Sequence, residues 1–199
     1  MDTKDDQLKA IRDEVLALKA SPLYAARIAA GAYPVIGEGN HDAKLMFIGE
    51  APGKNEAEQG RPFCGAAGRV LDELLEGAGI KREDVYITNI VKDRPPANRD
   101  PSPQEIALYG PFLDRQIDSI QPKIIATLGR FSMQYLLEKF GAQEAGLTIG
   151  VLHGTPIAAS ASYGPITIFP LYHPAAALYS GATKEVLQGD FQKLKEVVK

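Results

Sequence analysis

The chain has 199 residues and one cysteine, Cys64. A single thiol excludes an internal disulfide framework and any site that needs several thiolates. Long apolar runs are missing as well: no stretch approaches the roughly 20 residues of a membrane span. The opening Met1-Asp2-Thr3-Lys4-Asp5-Asp6 is too acidic and too polar for a signal peptide. Together these features predict a cytoplasmic protein with no membrane partner. Positive charge is not in excess, the formal net charge being -3. Bulk charge therefore does not advertise nucleic-acid binding, although one local basic face would suffice for it. Internal repeats and low-complexity tracts are also lacking. What is present, 45% hydrophobic and 24% charged residues, fits one globular domain over residues 1–199 with a sizeable core.

Hydrophobic periodicity divides the chain into alternating helices and strands. Leu8, Ile11, Val15 and Leu18 repeat at helical spacing, which predicts an amphipathic helix over Thr3–Lys19 with Thr3 as N-cap and Asp5 and Asp6 in the first turn. Ser21-Pro22 ends it, and an irregular stretch leads to a buried strand over Lys44–Ile48. Val70, Leu71, Leu74 and Leu75 mark a second helix, stopped at Gly77-Ala78-Gly79, before a second strand over Val85–Asn89. Ser102-Pro103-Gln104-Glu105 opens a helix as a capping box, Ile124–Leu128 is a third strand, and Gly129 starts a helix that reaches about Phe140. Gly141 to Pro156 reads as loop with room for a short strand. A fourth main strand, Ile166–Phe169, is closed by Pro170, and a last helix spans about Thr183–Val198. This alternation predicts an α/β fold on a central, mainly parallel, four-stranded sheet.

Polar groups gather where these strands end, the edge at which open α/β sheets bind ligands. Residues 49–69 form a flexible, glycine-rich polar loop carrying Glu50, Glu56 and Phe63; Asn89 ends the second strand, and His173 follows the fourth. An aromatic face, an amide, an imidazole and two carboxylates around one crevice suit a planar heterocycle. Phe63 would stack on it and Asn89 would read its donor and acceptor edge.

Gly49-Glu50-Ala51-Pro52-Gly53, Gly60-Arg61-Pro62-Phe63-Cys64-Gly65, Tyr86-Ile87-Thr88-Asn89 and His173-Pro174-Ala175-Ala176 closely resemble the motifs of the family 4 uracil-DNA glycosylases, in order, from about Ser21 to Leu178. The resemblance implies a three-layer α/β/α fold and a monofunctional glycosylase of base excision repair. Such an enzyme flips uracil out of DNA, single- or double-stranded, and hydrolyses its N-glycosidic bond. A monomer acting without metal or other cofactor is expected of this chain. Glu50, Glu56 and His173 take the catalytic places: the carboxylates place the attacking water, and the imidazole contacts uracil O2. Phe63, Asn89, Gly49 and Ala51 line the base site. Arg94 and Arg99, with Lys92, are candidates for phosphate contact, and Leu178 for the wedge that fills the gap in the stack.

One departure is large. Family 4 members hold a four-iron four-sulfur cluster on four cysteines, and the corresponding positions here are Leu18, Ser21, Asp93 and Tyr109. None is a thiolate, so the cluster is not expected. Packing by Leu18 and Tyr109 is expected to hold the site instead. A related branch captures DNA covalently through a histidine in the insert after the second strand. The segment 92–100 contains none, so covalent capture is not expected. Taken singly, the residues have plainer readings: Glu50 as a solvated loop carboxylate, Phe63 as core, Asn89 as a strand terminator, His173 as a turn residue, Cys64 as a small buried hydrophobe. A glycosylase for another deaminated base and an inactive DNA- or nucleotide-binding relative are the alternatives.

Overall fold

The computed structural model describes residues 2–198. Among them lie the strands β1 (Glu38–Gly39), β2 (Leu45–Gly49), β3 (Tyr86–Asn89), β4 (Ile124–Leu128), β5 (Ile157–Ala161) and β6 (Gly164–Leu171). The helices are α1 (Lys4–Leu16), α2 (Tyr24–Ala29), α3 (Lys54–Gln59), α4 (Ala66–Ala78), α5 (Pro103–Ile120), α6 (Arg130–Lys139), α7 (Ile149–Leu152) and α8 (Gly181–Val198).

The sheet runs β1-β3-β2-β4-β6-β5. The inner four strands are parallel, and β1 and β5 pair antiparallel at the two edges. Those inner four are the strands expected from the apolar runs; the sheet has six strands because two edges escape that pattern. β1 is only two residues long, and β5, Ile157-Ala158-Ala159-Ser160-Ala161, has a single β-branched residue. The short strand expected before Pro156 thus falls after it, and α7 occupies part of the presumed loop.

Burial on both faces explains why the inner strands read as continuous apolar runs. Leu45 and Phe47 of β2 join the core under α4 and α8, where Phe47 stacks on Phe191 with centroids 5.9 Å apart. Met46 and Ile48 enter the other core, with α1, α5 and α6. Helices therefore cover both faces, giving three α/β/α layers. Capping chemistry fixes the starts of α1 and α5: Thr3 with Asp6 and Ser102 with Glu105 each form reciprocal capping boxes.

Two segments expected to be irregular are ordered by short helices. α2 lies within the stretch after Ser21, and α3 lies inside the loop 49–69. The parallel strands end at Gly49, Asn89, Leu128 and Leu171 along one edge of the sheet, and the segments beyond three of these ends build the site.

Candidate active site

A cavity of about 440 Å³ opens at that edge, walled by Glu50, Ala51, Glu56, Phe63, Asn89 and His173 and bordered by Arg99. Register brings its first two sides together: Gly49 of β2 pairs with Asn89 of β3. An ideal Cβ on Gly49 would meet Asn89 Oδ1 and lie 2.8 Å from Phe63 Cζ, so the bare backbone here is what lets the amide and the aromatic ring converge. Gly49 thus shapes the pocket from behind.

Asn89 is 2% exposed, and its Oδ1 is buried without a hydrogen-bond partner among the described residues. Buried amides are rarely left unpaired, and those that are call for an explanation such as a ligand. Phe63, also buried, holds a left-handed backbone at φ 48, and its ring lies 5.7 Å from that of His173 at 33°. Three contacts maintain this strained turn. Arg82 Nη2 donates to the carbonyls of Pro62 (2.8 Å) and Phe63 (3.3 Å), and Gly68 leaves room for the Phe63 carbonyl that any side chain would strike. Glu56 supplies the third, its Oε1 accepting from the backbone N–H of Cys64 at 3.0 Å and of Gly65 at 2.7 Å. Glu56 therefore caps the start of α4, whose N-cap Gly65 has no side chain for the task. Loop 49–69 is a tied structure, in contrast to the flexible loop expected.

His173 leaves β6 through a 3₁₀ turn over Pro174–Leu178. The Ala175 N–H donates to its Nδ1 at 3.2 Å, which leaves the ring hydrogen on Nε2. The residue is half-buried, yet close packing dominates: desolvation pushes its pKa down to about 4, with Glu56 opposing. His173 is a neutral donor at physiological pH. Glu50 moves the other way: partial burial, reinforced by the charge of Asp100 and opposed by Arg130, lifts its carboxyl to about 7. Burial, with the charge of Glu56, also raises the Cys64 thiol against the pull of Arg61 and Arg82, which disfavours the thiolate.

The basic candidates separate. Lys92 is 0% exposed, which removes it from any contact with a phosphate. Arg99 is exposed at the cavity rim, but its fork grips Glu105 at 2.9 and 2.7 Å. Arg94 is partly exposed and donates to Asn98 Oδ1 at 2.6 Å. Leu178 stands 44% exposed at the end of the 3₁₀ turn, outside the cavity wall, beside Tyr179 at 89%. Tyr179 escapes a motif-based reading, though an aromatic next to a wedge candidate is the signal that would have found it.

The sequence profile of the uracil DNA glycosylase superfamily matches residues 36–195. The chain belongs to the uracil-DNA glycosylase superfamily. It is 46% identical to the type-4 uracil-DNA glycosylase of Sulfurisphaera tokodaii over 96% of this chain and 85% of that one. It is 47% identical to the type-4 enzyme of Saccharolobus solfataricus over 97% and 87%, and 37% identical to that of Thermotoga maritima over 100% and 98%.

The cluster implied by the family 4 resemblance does not fit the residues of this chain. Ser21, Asp93 and Tyr109, at three of the corresponding positions, are buried and joined to one another. The Tyr109 hydroxyl donates to Asp93 Oδ2 at 2.6 Å and shares a hydrogen bond with Ser21 Oγ at 2.7 Å. Burial and the Asp93 charge hold its phenol well above the usual range. Arg27 of α2 completes the group, donating to Asp93 Oδ1 at 3.0 Å and to the carbonyls of Val15 (3.2 Å) and Leu16 (2.7 Å). It thereby satisfies the Leu16 carbonyl at the end of α1 and adds a second donor to that of Val15, which also accepts from the Leu18 N–H. Leu18 only packs against the core. Instead of the plain packing expected of Leu18 and Tyr109, a buried polar clamp ties α1, α2, α5 and the segment after β3. Arg27 carried no sequence signal, because arginine is almost never fully buried unless paired.

Proposed function

We propose that this protein removes uracil from DNA by hydrolysis and that the cavity is its base pocket. The unpartnered Asn89 amide beside the Phe63 ring carries this reading. Uracil presents an N3–H donor next to an O4 acceptor, the complement of a carboxamide, and its flat ring suits stacking on Phe63. Membership in the superfamily and the likeness to type-4 enzymes along the chain support it further.

In the reaction the bond between uracil N1 and sugar C1′ breaks, its electron pair leaves with the base, and the sugar becomes cationic. His173 Nε2–H donates to uracil O2, where negative charge develops. The Glu50 carboxylate orients water and takes its proton as the water oxygen bonds to C1′; the uracil anion later gains a proton from solvent. Glu56 is a positioning residue that holds the Phe63 turn and the mouth of α4. Leu178 enters the stack vacated by the base, and Tyr179 stacks beside it. Arg94 and Arg99 border the path of the phosphates. Action as a monomer, from a single domain over 1–199, is part of this reading. Both single- and double-stranded DNA are substrates in this reading, single strands having no pairing to break.

Release of free uracil from defined oligonucleotides tests the proposal; purified protein that frees none from either strand form, at any concentration, refutes it. Two expected results follow from the site. The excision rate should rise with pH around about 7 as Glu50 ionises. His173 should add no step near its ordinary value, since it is already neutral there. A pH profile of the single-turnover rate checks this, and Glu50→Gln should flatten it. Gly49→Ala should slow excision about 100-fold, because a displacement of about 1 Å at the amide and ring is costly to catalysis, and should cost about 1–3 kcal/mol of stability by overpacking two buried side chains.

A further inference from the structure

Lys92 is fully buried, and its ammonium has no established task. It donates to Thr88 Oγ1 at 2.9 Å, to the Asn89 carbonyl at 2.6 Å and to Gln116 Oε1 at 2.5 Å. In this arrangement all three accept. The Thr88 hydroxyl gives its hydrogen to the Ile36 carbonyl at 2.6 Å. Gln116 Nε2 bonds the same carbonyl at 2.9 Å, which turns the amide oxygen toward Lys92. Three accepting partners match the three N–H groups of an ammonium, the form these contacts favour. Burial alone drives its pKa well down, and these hydrogen bonds oppose that pull. Its three partners are uncharged oxygens, while the neighbouring Asp93 carboxylate is taken by Arg27 and Tyr109.

The fold therefore keeps a cation, without a carboxylate among those partners, directly behind the strand end that presents Asn89. A buried charge is expensive and is usually paired. Placed here, its field meets little screening by water, and its hydrogen bond fixes the peptide from which the Asn89 side chain springs.

We propose that Lys92 is a positioning residue of uracil excision, holding Asn89 against the base edge and stabilising, through its buried positive charge, the negative charge that builds on the departing base. This rests on the uracil-excision reading. Lys92 touches neither base nor sugar in it. Its contribution grows as the bond breaks, because the base is neutral before and anionic after.

Leaving-group chemistry separates this from a merely structural role. Fluorine at C5 withdraws electrons and makes the departing base a better anion, so 5-fluorouracil needs less help. Lys92→Met should slow single-turnover release of uracil about 10- to 100-fold and of 5-fluorouracil less than about threefold. Gln116→Glu sets a carboxylate against the ammonium while preserving shape, and should give the same selective loss even if Lys92→Met fails to fold. Equal proportional losses for both bases, or unchanged rates in the folded variants, overturn the proposal. Wild-type protein that releases neither base would instead refute the excision reading, and this inference with it.

Discussion

Replacing His173 with alanine is expected to slow uracil release about 10²- to 10³-fold, the usual cost of losing one donor aimed at developing negative charge. The neutral state of the ring determines what is lost. With Nδ1 occupied by the Ala175 N–H, only Nε2–H is left to donate. A neutral imidazole binds the uncharged base modestly and the anionic base strongly, so the missing interaction belongs to the transition state. Affinity for uracil-containing DNA should therefore change little while the single-turnover rate collapses. Equal losses in binding and rate would assign His173 to docking instead. Asn89→Ala should behave similarly, since its amide would otherwise stay unpaired in the pocket wall.

Asp93→Ala is expected to produce the largest loss of stability, about 3–5 kcal/mol, because it strands a buried guanidinium. Arg27 and Asp93 have side chains 4% and 0% exposed, so little water can reach the orphaned charge. Tyr109 would lose its acceptor at the same time. Chemical denaturation measures the effect. Removing both charges, as Arg27→Met with Asp93→Leu, should recover much of it, since a buried pair is replaced by apolar groups at far lower cost than one partner alone. A double variant no better than Asp93→Ala would show that the Arg27 bonds to Val15 and Leu16 carry most of the stabilisation.

The sequence was legible where burial is symmetric or a motif is local. The four parallel strands are mostly apolar because helices cover both faces, and the Thr3 and Ser102 caps carry their own pattern. Edge strands lack that constraint: β1 is too short, and β5 too rich in alanine, for periodicity to mark them. Phe63, Asn89 and His173 were found through motifs and strand ends, and the structure brings them to one cavity. The mistaken reading of Lys92 came from treating a cation in a polar segment as exposed. Its burial depends on Gln116 and Ile36, 24 and 56 positions away along the chain. The clamp stayed hidden for the same reason: position 27 gains its meaning only when α2 is folded against the end of α1.

That clamp is made wholly of groups present when the chain leaves the ribosome. It closes as the surrounding helices dock, with no delivery of iron and no assembly apparatus. A chelator has nothing in it to strip, and an oxidant has no sulfide to attack. Joining these four segments by hydrogen bonds and one ion pair makes this corner of the protein indifferent to the metal supply of the cell.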